Sequence, residues 1–123
     1  MEHTICHFEI PVDDPQAAMR FYGSLFGWSI GPGARESADY LFVRTAAQPE
    51  ALGGALLRRA GPEHGVTLYV AVESVDEHLA KVVELGGTVV QPKTALPSLG
   101  WAAVARDPQG IAFGLFEEDR EAR

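Results

Sequence analysis

The second half of this 123-residue chain repeats the first at a spacing of 60 positions, which restricts the folds open to it more than any other feature. Val12 falls on Val72, Leu25 on Leu85, Gly27 on Gly87, Pro32 on Pro92 and Gly54 on Gly114. With 13 glycines in the chain, glycine matches alone carry little weight, so the argument rests on pattern. His7-Phe8-Glu9-Ile10-Pro11-Val12 and Thr67-Leu68-Tyr69-Val70-Ala71-Val72 both alternate, with the strictly apolar residues at even positions. Each run then passes through a short polar link into a helical stretch. A repeat of this length means two copies of one supersecondary unit, and two half-sheets of that kind can enclose a cleft.

The first copy, about residues 5–59, opens with a strand over Ile5 to Val12 that Asp13-Asp14-Pro15 ends. An aspartate that caps free amides, followed by a proline whose fixed φ suits a first turn, predicts a helix start. Ala18, Tyr22, Leu25 and Phe26 recur at helical spacing and Gly27 closes the helix. Short strands follow at Trp28 to Ile30, Tyr40 to Arg44 and Gly53 to Arg59, with a Gly-Pro-Gly loop after the first of them.

The second copy, about residues 66–117, has the same order. Val66 to Val72 is a strand, Ser74-Val75-Asp76-Glu77 is a capping box, and Val75, Leu79, Val82 and Val83 form the buried stripe of a helix. Strands are predicted at Thr88 to Gln91, Trp101 to Arg106 and Ile111 to Phe116, with Asp107-Pro108-Gln109-Gly110 as a turn. The last strand is apolar on both faces, and the charged residues from Glu117 onward read as a frayed tail.

The expected fold is therefore α+β: two βαβββ repeats giving an eight-stranded mixed sheet around a concave cleft, with the helices on the outer face. At this length, with 46% hydrophobic residues, one domain over 1–123 suffices. Phe8, Ile10 and Val12 and their counterparts Leu68, Val70 and Val72 should meet the helices. The other face then carries His7, Glu9, Thr67, Tyr69, Ala112, Gly114 and Phe116. A net charge of -7 disfavours nucleic acid, whose phosphates demand clustered cations. No apolar run reaches the length of a membrane span, and Met1-Glu2-His3-Thr4 does not have a signal-peptide layout. The single cysteine, Cys6, fits a reducing cytoplasm and is expected to point with Phe8 into the core.

The motifs carry a resemblance. His7 followed by Val12-Asp13-Asp14, then Phe21-Tyr22, Leu25-Phe26-Gly27-Trp28, Val75-Asp76, Leu85-Gly86-Gly87 and Asp107-Pro108-Gln109-Gly110 before Phe113-Gly114-Leu115-Phe116 resemble the vicinal oxygen chelate superfamily. That superfamily groups glyoxalase I, bleomycin-resistance proteins, extradiol dioxygenases and epimerases, and its fold is paired βαβββ units. Its metalloenzymes draw one ligand from the first and the last strand of each unit. The resemblance places those four positions at His7, Thr67, Gly54 and Gly114, and only the first has a metal-binding side chain. With Glu9 as a second donor the set is still too weak, so no metal and no cofactor are expected.

The resemblance then implies the metal-free branch: a small-molecule-binding homodimer whose ligand meets His7, Glu9, Gly54, Thr67, Tyr69, Trp101, Gly114 and Phe116. The rival expectations are an enzyme, a lyase, isomerase or transferase that uses His7 and Glu9 for proton transfer or an unconventional metal site, and an interaction protein whose apolar last strand buries a subunit interface. An aromatic face beside one carboxylate suits a flat neutral or cationic compound. Pro97 to Trp101 reads as a mobile lip, and His64 and His78 as exposed and uninvolved.

Overall fold

A computed structural model describes residues 1–33 and 38–123. In chain order its elements are β1 (Ile5–Val12), α1 (Pro15–Phe26), β2 (Ser29–Pro32), β3 (Tyr40–Arg44), β4 (Gly53–Arg58), β5 (Thr67–Ala71), α2 (Val75–Glu84), β6 (Thr88–Leu96), β7 (Gly100–Arg106) and β8 (Ala112–Glu118). The α+β class, eight strands and two helices match the sequence expectation. The chain divides into two compact units. The first is His7–Val66, and the second is Thr67–Arg123 together with Met1–Cys6.

In the first unit the strand order is β2-β3-β4-β1, with β1 parallel to β4 and the other pairs antiparallel. Asp14 caps α1 by accepting from the Ala17 amide at 3.2 Å, and Pro15 occupies the first turn. Gly27 ends the helix in the left-handed region at φ 74°, a conformation that needs no Cβ. The helix lays Ala18, Met19 and Tyr22 on a core of Leu41, Val43 and Leu56, joined by Phe8, Ile10, Trp28 and Ile30. Phe8 and Ile10 of β1 thus face the helix, as their alternation requires.

In the second unit the order is β5-β8-β7-β6, with β5 parallel to β8. The Ser74 hydroxyl accepts from the Glu77 amide at 3.1 Å, and the Val75 amide donates to Glu117 at 2.9 Å. Val72, Val75, Ala103 and Leu115 make the core, with Leu79, Trp101 and Phe113 against it. Asp107 accepts from the Gln109 and Ile111 amides and closes the predicted turn.

Four expectations need correction here. Cys6 is exposed, because it lies on the first turns of β1 beyond the residues that α1 covers; its thiol donates to the Tyr69 carbonyl. Burial still pushes that thiol above its ordinary value. The tail is not frayed: β8 runs to Glu118, Ala122 is buried, and the Ala122 carbonyl accepts from the Ser98 amide at 3.1 Å. The stretch Pro97 to Trp101 is therefore tied down, with Trp101 Nε1 donating to Asp119 at 3.0 Å. His64 and His78, expected to be exposed, are both half-buried: His64 Nδ1 accepts from the Ala60 amide at 3.0 Å, and His78 packs its ring edge-on to His3.

The spacing of 60 also fails beyond the helices. Tyr69 lies 60 residues after Glu9, and α2 starts 60 after α1. Glu9 pairs with Ala55 whereas Tyr69 pairs with Gly114, only 59 residues later than Ala55. Phe42 pairs with that same Ala55 and Val104 with that same Gly114, a spacing of 62. The connection between β3 and β4 spans 45–52 and that between β7 and β8 spans 107–111, three residues fewer, which accounts for the change.

Candidate functional site

Register assigns each candidate residue to a face. In the first unit Phe8, Gly54 and Val43 lie side by side across three strands, as do Ile10, Leu56 and Leu41; this is the helix-covered face. The opposite face carries His7 and Glu9 on β1, Ala55 on β4, and Tyr40, Phe42 and Arg44 on β3. Gly54 is therefore on the wrong face to accompany His7. A Cβ at that position would run into the Phe8 carbonyl and ring. Its glycine allows the close approach of β1 to β4 and leaves no room for a ligand.

On the open face, His7, Tyr40 and Glu9 form one hydrogen-bonded group. The Tyr40 hydroxyl donates to Glu9 Oε2 at 2.8 Å, and His7 Nε2 lies 3.1 Å from the same hydroxyl oxygen. A phenol has one proton, and Glu9 receives it. His7 Nε2 must then be the donor to Tyr40 and carries a hydrogen, not a lone pair. The direct His7–Glu9 separation is 4.0 Å, with the side chains 27% and 14% exposed. Ala55, in register with both Glu9 and Phe42, contributes only a methyl, and that low ground lets side chains from β1 and β3 meet across β4. The Tyr40 and Phe42 rings touch edge to face at 5.2 Å. Arg44 and Arg58 are engaged elsewhere, with the Ala47 carbonyl and with Asp39 and the Asp13 carbonyl.

Tyr40 is the member that sequence reasoning missed. The alternation of Tyr40-Leu41-Phe42-Val43-Arg44 around buried Leu41 and Val43 already placed it on the open face. Only the pairing of β3 with β4 and of β4 with β1 brings it to His7. Tyr40→Phe should destabilise the protein by about 1 to 3 kcal/mol, because a largely buried carboxylate and an imidazole each lose a hydrogen bond. Urea unfolding measures this; an unchanged midpoint would mean that water replaces the hydroxyl.

Burial pulls the His7 imidazole below its ordinary 6.5, and the neighbouring Glu9 opposes that pull without overcoming it. A histidine harder to protonate when folded stabilises the fold above pH 6.5, and this contribution is lost as pH falls below 6.5 towards the lowered value. His7→Gln should accordingly flatten the dependence of stability on pH in that acidic window and leave the neutral range unchanged. Identical slopes for the two proteins in denaturant titrations would assign the titration to another group.

In the second unit Thr67, Tyr69, Gly114 and Phe116 share the face opposite α2, through the Tyr69–Gly114 and Ala71–Phe116 pairs. Thr67 is buried at 5% exposure. The Tyr69 ring lies directly over Gly114, so the glycine makes room for that ring. Trp101 does not join them. It packs on the core beneath α2, with the Lys93 ammonium 4.6 Å from its ring centre. The apolar and polar residues of Trp101-Ala102-Ala103-Val104-Ala105 do not alternate, so the sequence had no means of showing which face Trp101 takes.

The last-strand residues that pair with Glu9 and Tyr69 are Ala55 and Gly114, a methyl and a hydrogen. With Thr67 at the other first-strand position, His7 is the one metal-binding side chain among the four, and this ligand set does not fit the divalent ion of the superfamily's metalloenzymes.

Two strand–helix–three-strand units, each with a helix-covered core and an opposite face that bears the first-strand polar residues, define the vicinal oxygen chelate class. The chain belongs to the Glyoxalase-like domain family, which matches residues 7–116. It is 29% identical over 116 residues to CFP32 of Mycobacterium tuberculosis, whose name assigns it provisionally as a glyoxylase. It is 30% identical over 126 residues to the anthracycline biosynthesis protein DnrV of Streptomyces peucetius. These matches take in 91% and 90% of this chain but 44% and 46% of the relatives, so it spans less than half the length of the curated proteins it matches. Among solved structures, a Mn(II)-bound glyoxalase from Novosphingobium aromaticivorans superposes with a TM-score of 0.66 at 20% identity. That likeness covers 98% of this chain and 40% of the other, and it concerns the fold. No helix among the described residues is long and apolar enough to cross a membrane.

Proposed function

We propose that this protein binds a small organic molecule without a resident divalent ion. The observation that carries the reading is the register of β4, which puts the Ala55 methyl where a last-strand ligand would stand beside Glu9. On the open face of the first unit, the Glu9 carboxylate and the Phe42 ring offer charge attraction and stacking to a flat neutral or cationic compound. Tyr69 and Phe116 offer aromatic surface on the corresponding face of the second unit. A relative named for anthracycline biosynthesis accords with an aromatic ligand. The same reading takes the protein as a cytoplasmic homodimer without a cofactor, after the pattern of the superfamily.

One observation favours a second reading. A phenol hydrogen-bonded between an imidazole and a carboxylate is a route for a proton, so a bound substrate could exchange one with His7 or Glu9. Product formation from a candidate substrate, abolished in Glu9→Gln, would select the enzyme.

Elemental analysis after dialysis against a chelator tests the metal-free reading. The expected result is far less than one ion of zinc, nickel, manganese or iron per chain, the same in wild type and His7→Ala. Near-stoichiometric metal that disappears in His7→Ala would overturn it. A thermal-shift screen of cationic aromatics against anionic metabolites then tests the ligand class, with stabilisation by the first set expected.

A further inference from the structure

The second unit holds a pair of histidines that the family's site does not use. His3, on the segment that precedes β1, and His78, in the first turn of α2, have ring centres 5.0 Å apart at an interplanar angle of 74°. His3 Nδ1 lies 3.0 Å from the Ala71 carbonyl, and His78 Nδ1 lies 3.0 Å from the Ser74 carbonyl. A carbonyl oxygen can only accept, so each Nδ1 carries the proton and each Nε2 keeps its lone pair. Neither Nε2 has a partner among the described residues. An imidazole anchored through one nitrogen to a backbone carbonyl, with the other nitrogen unprotonated, is the arrangement seen in metal-ligating histidines.

The spacing fits a shared ion. With a metal–nitrogen bond of about 2.0 to 2.1 Å, a ring centre stands roughly 3.2 Å from the ion it ligates. Two such centres 5.0 Å apart subtend about 100° at the ion, between square-planar and tetrahedral values.

We propose that His3 and His78 together bind one borderline divalent transition-metal ion, such as Ni²⁺, Cu²⁺ or Zn²⁺, with water completing its shell. Imidazole nitrogen suits these ions and a chain of net charge -7 attracts them. Two protein donors make an exchangeable site, which releases its ion to a chelator. When occupied, it staples the segment before β1 to α2 and raises thermal stability by mass action.

Untagged protein titrated with NiCl₂ and followed through its histidine ring proton resonances tests the idea. The paramagnetic ion should broaden His3 and His78 in step at substoichiometric concentration, before His7 and His64 are touched. His3→Gln and His78→Gln should each weaken Ni²⁺ binding by at least roughly tenfold, because the second imidazole adds as an intramolecular donor. Broadening of His3 and His78 at separate Ni²⁺ concentrations, or no earlier than His64, would overturn the proposal, and wild-type protein alone decides that. Single variants that bind as tightly as wild type would overturn it equally. Metal that survives the chelator and depends on His7 would count against the proposed function and leave this site standing.

Discussion

Gly54→Leu should cost at least about 3 kcal/mol, the upper end of overpacking effects, because the new side chain has nowhere to go. Its Cβ would meet the Phe8 carbonyl, a backbone atom in the paired strand, and the Phe8 ring behind it. The carbonyl cannot retreat without pulling β1 away from β4 and breaking the Phe8–Gly54 register. The same change at Gly114 first meets the Tyr69 ring, a side chain that can swing aside where a backbone carbonyl cannot, so Gly114→Leu should cost a smaller amount, about 1 to 3 kcal/mol. Equilibrium unfolding of the two variants side by side makes the comparison. Equal and small losses would mean that Gly54 faces open space after all, as the repeat spacing had suggested.

Leu56→Ala should also be among the most damaging changes, at about 2 to 5 kcal/mol. Leu56 is fully buried at 0% exposure, in a cluster with Leu41 and Val43, against which Ile10 and Tyr22 also pack. Truncation removes three carbons in a layer that joins β4, β3, β1 and α1, so little can collapse into the gap. A loss below about 1 kcal/mol in urea would show that α1 settles onto the void. Because Leu56 and Ala55 are neighbours on opposite faces, the variant should weaken the fold while leaving the His7–Tyr40–Glu9 group in place in the molecules that remain folded.

Much of this arrangement was written in local pattern. Strict alternation from His7 to Val12 sends Phe8 and Ile10 to the helix and His7 and Glu9 to the other side, because side-chain direction in a strand has period two. Asp14-Pro15 and Gly27 mark the limits of α1 through capping chemistry that acts within a few residues. What stayed hidden depends on pairing between distant strands. Tyr40 joins His7 and Glu9 only because β3 and β1 flank the same small residue, Ala55. The face of Gly54 was misjudged because counting from one copy to the other assumes equal loops, and an odd change in spacing exchanges the faces of a strand. Trp101 lies in an alanine-rich strand with no contrast between faces, and Cys6 has the parity of a core residue but sits where no helix covers it.

The connection at 45–52 has a consequence for how much change this half of the chain tolerates. Lengthening it costs loop-closure entropy, about 0.6 kcal/mol for each doubling, and the turn bond from the Ala51 amide to the Gln48 carbonyl. One extra residue inside β4, by contrast, would turn Leu56 to the opposite face of the sheet and bring a neighbour's side chain up against Phe8. Tolerance to insertion should therefore fall abruptly within a few positions: a short peptide tag accepted between Gln48 and Pro49 would be rejected between Gly54 and Ala55. A library of random insertions scored for folding would show that edge, and it would mark where this half of the molecule can lengthen without losing its face assignment.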